Sequence, residues 1–247
     1  MEIHRRNLLL MIWAGPVCLF LGGIGWVAFC HFLPPPSPDM TPAEVQHLWS
    51  HETNLKRVGL TLAFWGGPLY VPFILAISAL LRRDPQQREL SIAQAGVGIF
   101  ATVFVTVNFL ILLVVAFRPD RNPDAMQALH DLGFMMTVMP AAPFTVQFLL
   151  IGLAILQSRT ETCAFPRWSA YFTIWTAILF LPACAVPFCK DGLLAWNGLL
   201  GFWVPGIIFA VWVPVFAWVM HQAVTADGAP EGADEEPVAL EQVPSAV

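Results

Sequence analysis

The sequence predicts an all-α integral membrane protein, a six-helix bundle with proline-kinked helices and one amphipathic interfacial helix. Three observations carry that reading. Hydrophobic residues make up 57% of the chain and charged residues only 12%. The apolar residues are gathered into long runs instead of recurring at helix or strand period, which suits a chain solvated by lipid. A helix needs about 20 apolar residues to cross the hydrocarbon core, and six runs free of Asp, Glu, Lys and Arg reach that length.

In chain order the expected spans are 8–32, 58–81, 90–117, 132–156, 168–189 and 193–220, within a transmembrane domain of residues 1–221. His4, Arg5 and Arg6 precede the first run as in a signal peptide. The run is too long for one and no small-residue cleavage site follows, so it is read as an uncleaved first span. In the first loop, after HFLPPPSPDM, the stretch Thr41-Pro42-Ala43-Glu44 is a capping-box pattern with proline at the first helical position. It predicts an interfacial helix over 42–57, with Val45, Leu48, Trp49 and Leu55 on one side and His47, His51 and Asn54 on another.

Five of the six spans hold proline in their interior: Pro16; Pro68 and Pro72; Pro140 and Pro143; Pro182 and Pro187; Pro205 and Pro214. Each frees a carbonyl that lipid cannot satisfy, so the bends are expected to face other helices or a cavity. No internal repeat relates the two halves, which argues against an inverted-repeat transporter.

The formal net charge of −5 comes from the end of the chain. Asp227, Glu231, Asp234, Glu235, Glu236 and Glu241 fall there with no Lys or Arg, and the rest of the chain is near neutral. Residues 222–247 are therefore expected to form an acidic, disordered cytoplasmic tail. There is no basic stripe, so no nucleic-acid partner is expected. Arg5, Arg6, Arg82, Arg83, Arg88, Arg159 and Arg167 flank one set of loop ends, against Lys56, Arg57, Arg118, Arg121 and Lys190 on the other. That bias puts both termini in the cytoplasm of a cell membrane, with loops one, three and five outward.

No ionisable residue falls well inside a span, which argues against a proton-driven carrier. The strongest polar groups at depth include Asn108 and Gln147, which either join helices or line a ligand site. His130-Asp131 opens the fourth span beside Gly133. The pair either caps that helix or forms a general acid at the rim of an apolar pocket. Glu44, His47 and His51 lie a turn apart, as a metal site or a solvated helix face. No cofactor motif occurs. The five cysteines show neither metal nor disulfide spacing and are read as packing residues.

Ten tryptophans and nineteen phenylalanines remain to be placed. Interfacial belts account for Trp13, Trp26, Trp168, Trp196 and Trp218, whereas Trp175, Trp203 and Trp212 fit a belt less well. Those three are candidates for the wall of a cavity holding a sterol-like or terpenoid molecule, with cation–π support for any cationic intermediate.

The segments HDLGFMMTVMPAAPFTVQFLLIGLAIL, FPRWSAYFTIWTAILFLP and LLAWNGLLGFWVP together resemble an uncharacterised family of bacterial six-span inner-membrane proteins. The resemblance covers most of the body, excludes the acidic tail, and implies location and layout without any activity. The leading expectation is binding of a lipophilic small molecule in an intramembrane cavity, with membrane lipids as the other partners. Two alternatives are an embedded isomerase or cyclase using His130 and Asp131, and a non-catalytic accessory subunit. The sequence sets no oligomeric state.

Overall fold

The computed structural model describes residues 2–159 and 163–226. Of the expected acidic tail, 222–226 continue the last helix and 227–247 lie outside the described residues. The protein is an all-α membrane bundle, and six helical segments among the described residues are long and apolar enough to cross a bilayer. They run Ile3–Phe29, Thr53–Leu81, Pro85–Phe117, Pro123–Gln157, Arg167–Phe188 and Gly192–Ala226.

The first span is α1 (Glu2–Ile24) extended by a π turn, Gly25–Phe29. A short α2 (Pro42–Ser50) follows, and its capping box forms as the sequence predicts. Its extent needs correction: the helix expected over 42–57 stops at Ser50. Glu52 adopts a left-handed conformation with φ 49°, which no α-helix can contain, and the second span then starts at Thr53. That span is α3 (Thr53–Gly66) and α4 (Tyr70–Leu81), joined by a 3-10 turn at Gly67–Leu69. The third is one unbroken helix, α5 (Arg88–Phe117).

The fourth span is broken as its prolines require: α6 (Pro123–Val138) ends before Pro140 and α7 (Ala141–Gln157) begins after it. It starts nine residues earlier than expected, because Asn122 caps it through the amides of Asp124 and Ala125. The fifth span is α8 (Arg167–Phe180) tightened into 3-10 helix over Leu181–Phe188. The sixth opens with a 3-10 turn at Gly192–Leu194, passes through a π turn at Leu199–Trp203 and continues as α9 (Val204–Ala226). Most span prolines thus sit in the first turn after a break, where a missing N–H costs no intrahelical bond. Pro16 and Pro214 stay inside continuous α-helix, and Pro187 inside the 3-10 stretch of the fifth span.

The fourth span is the hub, packing on α5 and α8, and it is the most buried of the six. Side chains tie the helix ends. Arg57 reaches from α3 to the carbonyls of Ala116 and Phe117, satisfying the end of α5. Arg167 does the same for α7 through the carbonyls of Ile155, Leu156 and Ser158. The odd-numbered loops meet at one end of the bundle, where Gln46 bonds the Arg121 carbonyl, Gln127 that of Met40, and the Trp196 indole that of Pro36.

Candidate ligand cavity

The first and last spans meet toward the end where α1 starts and α9 finishes, with Trp13 and His221 edge to face at 5.9 Å. Toward the odd-loop end they part. A Cβ built on Gly22, Gly23 or Gly206 meets nothing within 4 Å. All three glycines line a cavity of about 360 Å³ that opens sideways between the two spans.

Two close packings shape its walls. Gly25 and Gly59 cross backbone to backbone, so that a Cβ on Gly25 would come within 2.3 Å of the Gly59 carbonyl oxygen. This clamps the π turn of the first span onto α3 and sets Trp26 at the cavity wall, against Phe32, Phe109 and Phe134 at 5.1, 6.4 and 5.6 Å between ring centres. The second π turn, at the start of the sixth span, brings Phe202 and Trp203 to the opposite wall. Such turns recur at functional sites because they re-aim side chains without ending the helix.

Among the described residues, none that lines the cavity is ionisable. Its polar side chains are Asn108, Thr137 and the indoles of Trp26 and Trp203. Asn108 is 1% exposed, and its Nδ2 donates to Thr137 Oγ1 at 2.9 Å. Asn108 Oδ1 and Trp26 Nε1 are buried without a hydrogen-bond partner. Val105 joins this cavity to two smaller ones deeper in the bundle, about 210 and 80 Å³, the last of which is lined by Tyr70 with its hydroxyl also unpartnered.

The sequence-predicted site residues divide sharply. Asn108 and Trp203 line the cavity. Gln147 does not: it is buried against Gly98 and donates to Gln94 Oε1 at 3.4 Å, an interhelical contact. Trp212 is fully buried in the solid part of the core, stacked on Phe216 at 4.6 Å and donating to Thr173 Oγ1. Trp175 is 62% exposed on the outer, lipid-directed surface.

His130 and Asp131 also fail to reach the cavity. His130 lies 1% exposed in an aromatic box made by Trp49, Phe134 and Trp196, and Asp131 is half-buried on the neighbouring helix surface. A helix places successive residues about 100° apart, so these two cannot share a face.

Glu44 is occupied by the capping box, accepting from the Thr41 amide at 2.7 Å and hydroxyl at 2.8 Å, and those bonds hold its carboxyl below its ordinary range. The His47 and His51 rings lie parallel at 6.4 Å, and no three His, Cys, Asp or Glu among the described residues form a metal-holding group. Cys30 donates to the Lys56 carbonyl, and burial pushes its thiol up to about 12, as befits a packing residue.

Trp26, Thr137 and the three glycines escape sequence reasoning. Trp26 has the signature of an interfacial belt, and the Asn108–Thr137 bond joins residues 29 apart whose facing follows only from helix rotation. The Gly22-Gly23 pair was the available signal, since side-chain-free positions in an apolar run leave room beside the helix. No family model matches the chain, and no curated protein or solved structure matches it either.

Proposed function

We propose that this protein holds a lipophilic small molecule inside the membrane, in the cavity between its first and last spans, admitting it sideways from the bilayer. The observation that carries this reading is the glycine-lined gap. The gap opens to the bilayer, so in a membrane lipid chains or a bound molecule occupy it. Bulk acyl chains are one filler and a specific lipophile is the other.

The aromatic and aliphatic walls favour a sterol-like or terpenoid skeleton over a charged substrate. We place the protein in a bacterial inner membrane with both termini cytoplasmic, on the arginine bias of its loops and the resemblance of its central segments. The cavity then opens toward the outer leaflet. The isomerase or cyclase reading draws no support from the bundle, because the His130-Asp131 pair stands apart from the cavity.

Native mass spectrometry of the full chain released from mild detergent tests the proposal. A retained lipophile distinct from the host phospholipids is the expected result. Bulk phospholipid alone would contradict it and favour an accessory subunit.

A further inference from the structure

The cavity between the first and last spans adjoins two smaller chambers, and all three meet at one side chain. Val105 of α5 lines each of them, at about 360, 210 and 80 Å³. Different spans complete them. The outer chamber lies between the first and sixth spans, the second is closed by Phe180 of the fifth, and the third by Gly67 and Tyr70 of the second. The space therefore turns at Val105 instead of running straight. It also runs in depth: the outer chamber begins at Leu33 in the first loop, whereas Cys18, Gly67, Thr102 and Phe209 around the smallest chamber each stand close to the middle of their spans. From the odd-loop face to that level is half a hydrocarbon core, about 15 Å, which is the reach of one lipid tail. Among the described residues no Asp, Glu, Lys, Arg or His lines any of the three, and almost all the surface they present is apolar.

From this we infer that the occupant is an open-chain lipophile, prenyl or acyl, whose flexible tail enters sideways, turns at Val105 and ends in the middle of the bundle, with its polar head left outside at the odd-loop face. The inference rests on the cavity reading above and specifies its ligand. A fused-ring skeleton of sterol type is rigid along its length, so it fills the outer chamber and leaves the inner two empty, forfeiting the contacts of their linings. A flexible tail fills each in turn. A charged head finds no partner inside and stays where water reaches it.

The test offers phytol, octadecanol and cholesterol together at equal concentration to the full-length protein, read by native mass spectrometry. All three are alcohols, so the skeleton is what differs. Both open chains are expected to be bound about tenfold over cholesterol, the scale of one packing misfit in a dense interior. The ratio of phytol to octadecanol then tells a prenyl from an acyl tail. Val105→Phe puts a ring at the turn, and Cys18→Leu fills the innermost chamber from another helix. Each should lower phytol binding while geraniol, short enough for the outer chamber, is retained. Retained geraniol shows that a variant folds, and where one variant fails to fold the other decides.

Cholesterol bound as well as the open chains, with all three lost in the cavity-filling variant Gly206→Phe, overturns the chain assignment while leaving the cavity reading intact. Phytol binding that Gly206→Phe removes but Val105→Phe and Cys18→Leu leave unchanged does the same. Binding of no probe, or binding indifferent to Gly206→Phe, overturns both.

Discussion

The indole N–H of Trp49 donates to Nδ1 of His130 at 3.0 Å, joining the short helix of the first loop to the fourth span across 81 residues of sequence. With Nδ1 accepting, the ring proton sits on Nε2, which is buried without a hydrogen-bond partner. The bond closes the odd-loop end of the bundle over the aromatic box that backs Trp26. His130 is thus a structural tie rather than an acid at a cavity mouth.

Trp49→Phe keeps an aromatic side chain but, at a fully buried site, removes part of the indole and strands a buried acceptor, so it should destabilise the protein by at least about 1–3 kcal/mol. Thermal melting in detergent checks this, and His130→Leu added to Trp49→Phe should restore part of the loss, because neither polar partner then remains. Melting of Trp49→Phe at the wild-type temperature would show that the bond does not hold the loop.

The backbone crossing at Gly25 and Gly59 gives a matched pair. Gly59→Ala drives a methyl against the Gly25 carbonyl oxygen at 2.5 Å, an overpacking worth about 1–3 kcal/mol. Gly22→Ala meets open space and should melt close to wild type. Equal melting of both variants would mean that the two helices do not touch there.

Gln147 belongs to the packing of the third and fourth spans, and its own Oε1 is already unpartnered. Replacing it by Leu should change stability by less than about 1 kcal/mol, the ordinary scale of interhelical side-chain bonds in membranes. Lipid bound to the purified variant should match the wild type. Loss of bound lipid would return Gln147 to the cavity wall.

Acid should loosen α2. The carboxyl of Glu44 is held below its ordinary value of 4.5 by its bonds to Thr41. A group lowered in the folded state lends stability in full above that ordinary value, and the contribution disappears as pH falls through the lowered one. Amide exchange, corrected for its intrinsic pH dependence, should therefore accelerate over Pro42–Ser50 at acid pH. In Glu44→Gln, which keeps an accepting oxygen without a titrating group, that acceleration should be absent; its presence would assign the loosening elsewhere.

The layers of this molecule differ in how visibly the sequence writes them. Crossing a bilayer requires length and apolarity, which one chain displays openly, so the six spans could be read with small errors at their ends. Those errors have causes. Asp124, Gln127, His130 and Asp131 make the first turns of the fourth span polar and hide its true start at Pro123, and His51-Glu52 carries neither glycine nor proline to announce the break after α2.

Facing was far less legible. Spans apolar all round have no polar stripe to fix their rotation, so Trp175, Trp203 and Trp212 looked equivalent until the bundle sent one to the surface, one to the cavity and one to the core. Asn108 could be singled out because an amide at depth is costly wherever it points. Trp26 could not, because an interfacial indole and a cavity indole occupy the same kind of apolar run.

The most direct test of the central claim is to purify wild type and Gly206→Phe side by side and analyse their bound lipids. The account predicts that the wild type carries a non-phospholipid lipophile in equimolar amount, and that Gly206→Phe loses it while still folding, because Gly206 lines the cavity and a Cβ there meets nothing within 4 Å. Identical lipid complements in the two proteins would contradict it.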